Sequence, residues 1–168
     1  DYLEIVRERP YVAQTAHSRI YNMIKDAGIE ETAEGKTYSF FSREIFGLEQ
    51  AIEKLVEEYF HSAARRLDVR KRILLLMGPV SGGKSTIVNL LKEGLERYSR
   101  TDAGAVYAIK DCPMHEEPLH LVPPSLRPEL EEQFGVKIEG KLCPSCQFRL
   151  KHEYLNRVEE MPVERVLL

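Results

Sequence analysis

Gly78-Pro79-Val80-Ser81-Gly82-Gly83-Lys84-Ser85 satisfies the pattern G-x-x-x-x-G-K-[ST] without a gap. Its flanks agree with it. Arg72-Ile73-Leu74-Leu75-Leu76-Met77 reads as a short buried strand, and Thr86 to Tyr98 reads as a helix with Ile87, Leu91, Leu95 and Tyr98 on one face. Strand, glycine-rich loop and helix together make the phosphate-binding P-loop unit. The glycines let the backbone curl so that its N–H groups converge on β- and γ-phosphates, helped by the positive end of the following helix. Lys84 then reaches the β/γ oxygens and the Ser85 hydroxyl ligates Mg²⁺, with Pro79, Val80, Ser81, Gly82 and Thr86 completing the cradle. The alternative is a glycine-rich strand–helix turn with no ligand. Motif and context agree on the first reading, so the expected ligand is a nucleoside triphosphate.

Around this loop lies a chain of 168 residues, 43% hydrophobic and 30% charged, with net charge −3. That is enough for one compact core with a small appendage. The mild negative balance gives no general attraction to nucleic acid or lipid, and neither is expected as a partner. No apolar run approaches the roughly 20 residues that span a bilayer, and the start shows no secretory pattern. A P-loop with three cysteines and no export signal points to the cytoplasm. The chain opens on Asp1 and closes on the strand-like Val166-Leu167-Leu168, which reads as a fragment of a longer protein.

Upstream, residues 1–30 read as helical, with Ile20, Met23 and Ile24 on one face and Gly28 as C-cap. Glu30 to Lys36 is a looser charged stretch, and Tyr38-Ser39-Phe40-Phe41 a short extended anchor. A long amphipathic helix is expected from Gly47 to Leu67. Leu48, Ile52, Leu55, Val56, Tyr59, Phe60 and Ala63 form its apolar stripe, while Glu49, Glu53, Lys54, Glu57 and Glu58 face water. Arg65-Arg66 and Arg70-Lys71-Arg72 read as solvated surface, with a contact to a neighbouring subunit or nucleotide as the alternative. Downstream, Ala105 to Ile109 reads as a second strand. Asp111 follows it as a Walker-B acid would, but Lys110 interrupts the apolar run and no second acid follows.

From Cys112 to Met161 the periodicity weakens and prolines recur, as in an insertion, with short helices expected at 126–134 and 148–158. Inside it Cys112-Pro113-Met114-His115 and Cys143-Pro144-Ser145-Cys146 are two C-P-x-[CH] turns. Each places two ligands on one knuckle, which suits a tetrahedral Zn²⁺ held by Cys112, His115, Cys143 and Cys146. His120 and His152 are spare ligands. The interval between the pairs exceeds that of an ordinary zinc ribbon, so reduced, merely packed thiols stand as an equal alternative. A redox C-x-x-C lacks its thioredoxin-like context here.

The resemblance to a known family goes beyond the P-loop. Phe41-Ser42-Arg43-Glu44-Ile45-Phe46-Gly47-Leu48-Glu49-Gln50-Ala51-Ile52 looks like the entry of an AAA+ module. The P-loop, Tyr107-Ala108-Ile109, Cys112-Pro113-Met114-His115-Glu116-Glu117-Pro118-Leu119-His120 and Leu142-Cys143-Pro144-Ser145-Cys146 together resemble the bacterial PrkA-type serine protein kinases, in the N-terminal part of their AAA+ domain. The similarity runs over nearly the whole chain. It implies an ATP-binding AAA+ module followed, in the parent, by a kinase-like region. It also implies Gly78, Gly83, Lys84, Ser85 and Thr86 as phosphate and Mg²⁺ residues, and Phe46-Gly47 as a wall for the adenine. The chain departs from a complete module: it contains no convincing Walker-B acid, sensor or arginine finger, and no H-R-D or D-F-G triplet.

The expected fold is therefore a three-layer α/β P-loop NTPase core of AAA+ type with a parallel sheet, incomplete, carrying a proline-rich inserted subdomain. Its parts are a helical lead-in at 1–37, the core at 38–111, the insertion at 112–161 and the start of a further core strand at 162–168. The expected function is ATP binding within a protein that passes the γ-phosphoryl to serine or threonine of a protein substrate. The alternative is an AAA+ mechanochemical ATPase that remodels or delivers protein partners, with a link to proteolysis. On that ATPase reading the parent is expected to oligomerise, because such modules act as rings in which the finger arginine comes from a neighbour. A nucleotide-gated binding module is a third reading. A small-molecule kinase fits less well, since the last third is not a compact lid.

Overall fold

The computed structural model describes residues 2–33, 35–64 and 74–168. In chain order its helices are α1 (Tyr2–Glu8), α2 (Ala16–Asp26), α3 (Glu49–Glu53), α4 (Ser62–Ala64), α5 (Lys84–Ser99), α6 (Arg127–Phe134) and α7 (Pro144–His152). Its strands are β1 (Ile29–Thr32), β2 (Gly35–Tyr38), β3 (Val106–Ile109) and β4 (Val163–Val166). A π-helix, Lys54–His61, continues α3 directly into α4. The chain divides into two compact units, Thr15–Tyr98 and Asp1–Gln14 with Ser99–Leu168.

In the unit Thr15–Tyr98, the Thr15 hydroxyl accepts the Ser18 amide at 3.2 Å and caps α2. Gly28, at φ 112, ends that helix as an L side chain rarely can. The next residues form a hairpin, with Ile29 opposite Tyr38 and Thr32 opposite Gly35. Sequence reading expects a loose charged stretch here, because β1 and β2 have no apolar alternation. What holds the hairpin is polar: the Lys36 amide and ammonium and the Tyr38 hydroxyl reach Glu53 and Glu57 on the neighbouring helix. Those two glutamates are half-buried rather than the water-facing residues of the helical wheel.

The expected helix from Gly47 to Leu67 begins at Glu49 and widens into the π-helix; residues 65–67, with Arg70-Lys71-Arg72, lie outside the described residues. Ile52, Leu55, Val56 and Phe60 are buried from it, beside Met23, Ile24, Tyr38, Phe41, Ile45, Ile87 and Leu90. Burying side chains of this size is worth about 1.5–3 kcal/mol each. The core is thus built by α2, the 38–45 turns, the widened helix and α5. Leu91, Leu95 and Tyr98 of the predicted α5 face pack against it as well.

The predicted strand at 72–77 does not appear as one. Leu74 to Pro79 carries no strand pairing, although Leu74 and Leu76 turn inward while Leu75 and Met77 are exposed. Arg72 and Ile73 lie outside the described residues. The sheets among the described residues are two antiparallel pairs, β1–β2 and β3–β4, in place of the expected parallel layer. A parallel ladder needs a second strand returned by a crossover of a dozen or more residues, and the described residues place none beside 74–79.

In the other unit, β3 pairs antiparallel with β4, Val106 opposite Val166 and Ile109 opposite Val163. Val6, Val12, Leu119, Val122, Phe134, Val136 and Ile138 form one buried cluster, and Ile109, Cys112, Cys146 and Met161 a second. The Arg127 guanidinium ties the irregular stretch together by donating to the carbonyls of Val122 at 3.0 Å and Gly140 at 2.9 Å. Of the two short helices expected here, α6 begins one residue late, while α7 begins four residues early, because Cys143 caps it and Pro144 occupies its first turn, and ends at His152, short of the expected 158.

Candidate functional site

Two places in the chain concentrate chemistry, one in each unit. The first is the loop that opens α5. Ser81 at φ 64 and Gly83 at φ 73 turn the backbone through the left-handed region. The Gly82 amide donates to the Pro79 carbonyl at 3.2 Å, and a Cβ at Gly82 would lie 3.0 Å from that oxygen. α5 starts at Lys84, so the glycines end where helical amides begin. Lys84 Nζ donates to the carbonyls of Gly78, at 2.9 Å, and Pro79, folding the cation over its own loop. Ser85 is exposed beside it, and Val80 projects to solvent.

The Phe46-Gly47 segment meets this loop through the next residue. Leu48 Cδ1 lies 3.2 Å from the point a Gly83 Cβ would occupy, so a larger residue at 83 would push against it. Gly47 adopts φ 74, and its amide donates to Glu49 Oε1 at 2.9 Å. With the Glu49 amide, that bond holds the Glu49 carboxyl below its ordinary value. Gly47, Leu48 and Glu49 border a cavity of about 580 Å³ that the β1–β2 hairpin closes on its other side. Phe46 is 75% exposed. Sequence reading names Phe46 and Gly47 but misses Leu48 as the residue in contact with the loop.

The second place is the 112–146 region. The three cysteine sulfurs lie within 4.8 Å of one another, and Cys112 Sγ stands 3.6 Å from Cys143 Sγ. These are all the cysteines of the chain. The arrangement is able to hold a metal ion. His115, the fourth member of the predicted set, is not brought into it: the residue is exposed at φ 47, and its amide bonds the Cys112 carbonyl at 3.0 Å. His152 packs on Phe148 instead, with ring centres 4.4 Å apart. Asp111, at φ 59, is exposed directly before Cys112.

Each sulfur is set by local geometry. Cys143 caps α7 and its Sγ accepts the Cys146 amide at 3.4 Å. Burial opposes ionisation of Cys112, but the backbone of Glu116 and Met114 and the neighbouring thiols outweigh it and bring the thiol below its ordinary value. Burial, followed by the other two sulfurs, pushes Cys146 far up. Glu116 connects the two turns: its Oε2 accepts the Cys143 amide at 2.7 Å, while Oε1 meets His120 Nδ1. Burial would raise its pKa, but those donors win and lower it. His120 also meets the Glu139 carbonyl at 2.6 Å through Nε2, which makes it a strut and not a ligand. The spacing Glu116-x-x-x-His120 was the one sign in the sequence of this pairing.

The profile of the PrkA AAA domain matches residues 1–168. The chain belongs to the PrkA AAA domain family. It is 65% identical over 166 residues to a Bacillus subtilis protein named "ATP-dependent protease PrkA", covering 99% of this chain and 26% of that one. It is 28% identical over 130 residues to the Escherichia coli protein named "Serine/threonine kinase YeaG", covering 73% of this chain and 19% of the relative. A Geobacillus stearothermophilus protein without a described function is 70% identical over 73 residues, 44% of this chain and 75% of that one. The chain thus spans about a quarter of the PrkA relative and less of the kinase. No solved structure matches it. Among the described residues, no helix is long and apolar enough to cross a membrane.

Proposed function

We propose that this chain is the nucleotide-binding part of a PrkA-type AAA+ protein, and that its unit Thr15–Tyr98 binds Mg·ATP. The observation that carries the reading is the loop Gly78–Ser85 opening α5 with Leu48 of the preceding segment against Gly83. Phosphate oxygens would sit on the amides of 80–86 at the positive end of the helix. Lys84 would leave its own carbonyls for the β/γ oxygens, Ser85 would complete Mg²⁺, and Phe46-Gly47 would border the base. Work in the cytoplasm and ring assembly of the longer protein belong to the same proposal. So does a larger parallel core completed outside the described residues.

For the fate of the γ-phosphate, hydrolysis coupled to work on a protein client is the stronger reading. The relative named an ATP-dependent protease shares 65% identity over 99% of the chain, against 28% over 73% for the one named a kinase. The kinase reading retains the second name in its support, with transfer to serine or threonine of a substrate. The two separate in one experiment. γ-Labelled ATP is incubated with the longer protein and a cell extract, beside its Lys84→Ala control. Release of free phosphate alone, lost in the control, supports the ATPase; label on protein serine or threonine, lost in the control, establishes the kinase. Turnover unaffected by Lys84→Ala would remove the P-loop from both accounts.

A further inference from the structure

We propose that Cys112, Cys143 and Cys146 bind one thiophilic divalent ion, zinc by chemical class, through three thiolates and without His115. This stands apart from the nucleotide reading, since none of its residues belongs to the unit that holds the P-loop.

The first support is convergence. Every cysteine of the chain arrives at one point, from two turns separated by α6 and a long irregular stretch. A tetrahedral ion with Zn–S bonds near 2.3 Å requires sulfurs about 3.8 Å apart. Cys112 and Cys143 already stand at 3.6 Å, and no pair exceeds 4.8 Å, so closure requires less than about 1 Å of movement. A disulfide would use two of the three and leave the buried third beside it without a role.

The second support is the set of donors around the sulfurs. The Cys146 amide donates to Cys143 Sγ at 3.4 Å. Donors on sulfur favour the anionic ligand form. Pro113 and Pro144 follow the two leading cysteines, remove a competing N–H and fix the turn. Cys143 further stands at the N-terminus of α7, where the helix favours negative charge. Cys146 and Cys112 are buried, and the half-buried Cys143 is the most accessible of the three.

The third point is the fourth position. His115 faces solvent from a left-handed turn, and Glu116 has both carboxylate oxygens engaged. Three protein ligands therefore hold the ion, and an exchangeable one, such as water, completes it. As the ion binds, each thiol gives up its proton to solvent and becomes a thiolate ligand.

The test is a titration of the reduced, metal-free 168-residue chain with Co²⁺, followed by displacement with Zn²⁺. One equivalent of Co²⁺ should give intense sulfur-to-metal charge transfer in the near ultraviolet and tetrahedral visible bands, both removed by one equivalent of Zn²⁺. Cys143→Ser, at the half-exposed position, should weaken binding by more than about 100-fold while far-ultraviolet dichroism stays unchanged. His115→Ala should keep stoichiometry, affinity within about threefold and the spectrum. Loss of the bands in His115→Ala would overturn the three-thiolate site in favour of a Cys₃His centre. No charge transfer in the wild type, with three titratable thiols, would overturn metal binding altogether.

Discussion

Glu57 receives three donors on one carboxylate: the Tyr38 hydroxyl at 2.8 Å, Lys36 Nζ at 3.1 Å and His61 Nδ1 at 2.9 Å. Burial works to raise its pKa, and the three donors together overcome that and lower it. A carboxyl lowered in the folded state stabilises the fold above its ordinary value and ceases to do so as pH falls through the folded value. The contribution of Glu57 should therefore be present at neutral pH and fade from 4.5, the ordinary value, downward. Glu57→Gln should cost about 1 kcal/mol at pH 7 and flatten that part of the acid-denaturation curve. An unchanged acid slope in the variant would show the network to be inert. Lys84 acts at the same scale with a different readout. Lys84→Ala should abolish Mg·ATP binding by calorimetry with helix content retained, since its partners are two exposed carbonyls of its own loop; retained affinity would count against the P-loop reading. Of these two residues only Lys84 was legible in the sequence. A motif states its chemistry by spacing, whereas Glu57 lies on the polar side of a helical wheel and acquires its role from a hairpin that has no apolar signature.

Among the elements, α5 shows how a single missing methyl shapes a contact. A Cβ at Gly94 would stand 2.5 Å from Phe40 Cζ and 3.1 Å from Met23 Sδ. Gly94→Ala should gain about 1 kcal/mol of helix propensity and lose about 1–3 kcal/mol to overpacking. A net fall in melting temperature is the expected outcome. In a Phe40→Leu background the ring is gone, and Gly94→Ala should there raise the melting temperature; equal effects in both backgrounds would remove Phe40 as the cause. The apolar stripes of α2, the 49–64 helix and α5 could be read from sequence because period 3.6 survives in them. β1 and β2 could not, being polar, nor could the late pairing of β3 with β4, which is set by contact between distant segments. The strand expected at 72–77 shows the opposite case in its described part, 74–77, which pairs with no strand among the described residues. Its apolar run is real, but a run of that kind becomes a strand only beside a partner.

For the whole molecule, the division into two units predicts that two ligands act separately. ATP at a hundredfold excess over its Kd should add about 2.7 kcal/mol to the state that binds it. Hydrogen exchange should slow within Thr15–Tyr98 on adding Mg·ATP, and within Ser99–Leu168 on adding Zn²⁺. Equal slowing of both units by either ligand would show that they unfold as one. The sequence announces the two chemistries at this scale, as a glycine-rich loop and two cysteine turns, because each is a local pattern. It does not announce that Val6 and Val12 pack with Leu119 and Phe134, since no local pattern links residues so far apart.

The π-helix Lys54–His61 has one further consequence. Each of its hydrogen bonds closes over one residue more than in an α-helix, so the segment contains a surplus that its neighbours do not need. Removing one residue between the glutamates that hold the hairpin would let the turns tighten to α geometry while both ends of the helix stay fixed in place. Within this family, that stretch is where chains of unequal length should differ by a single-residue gap.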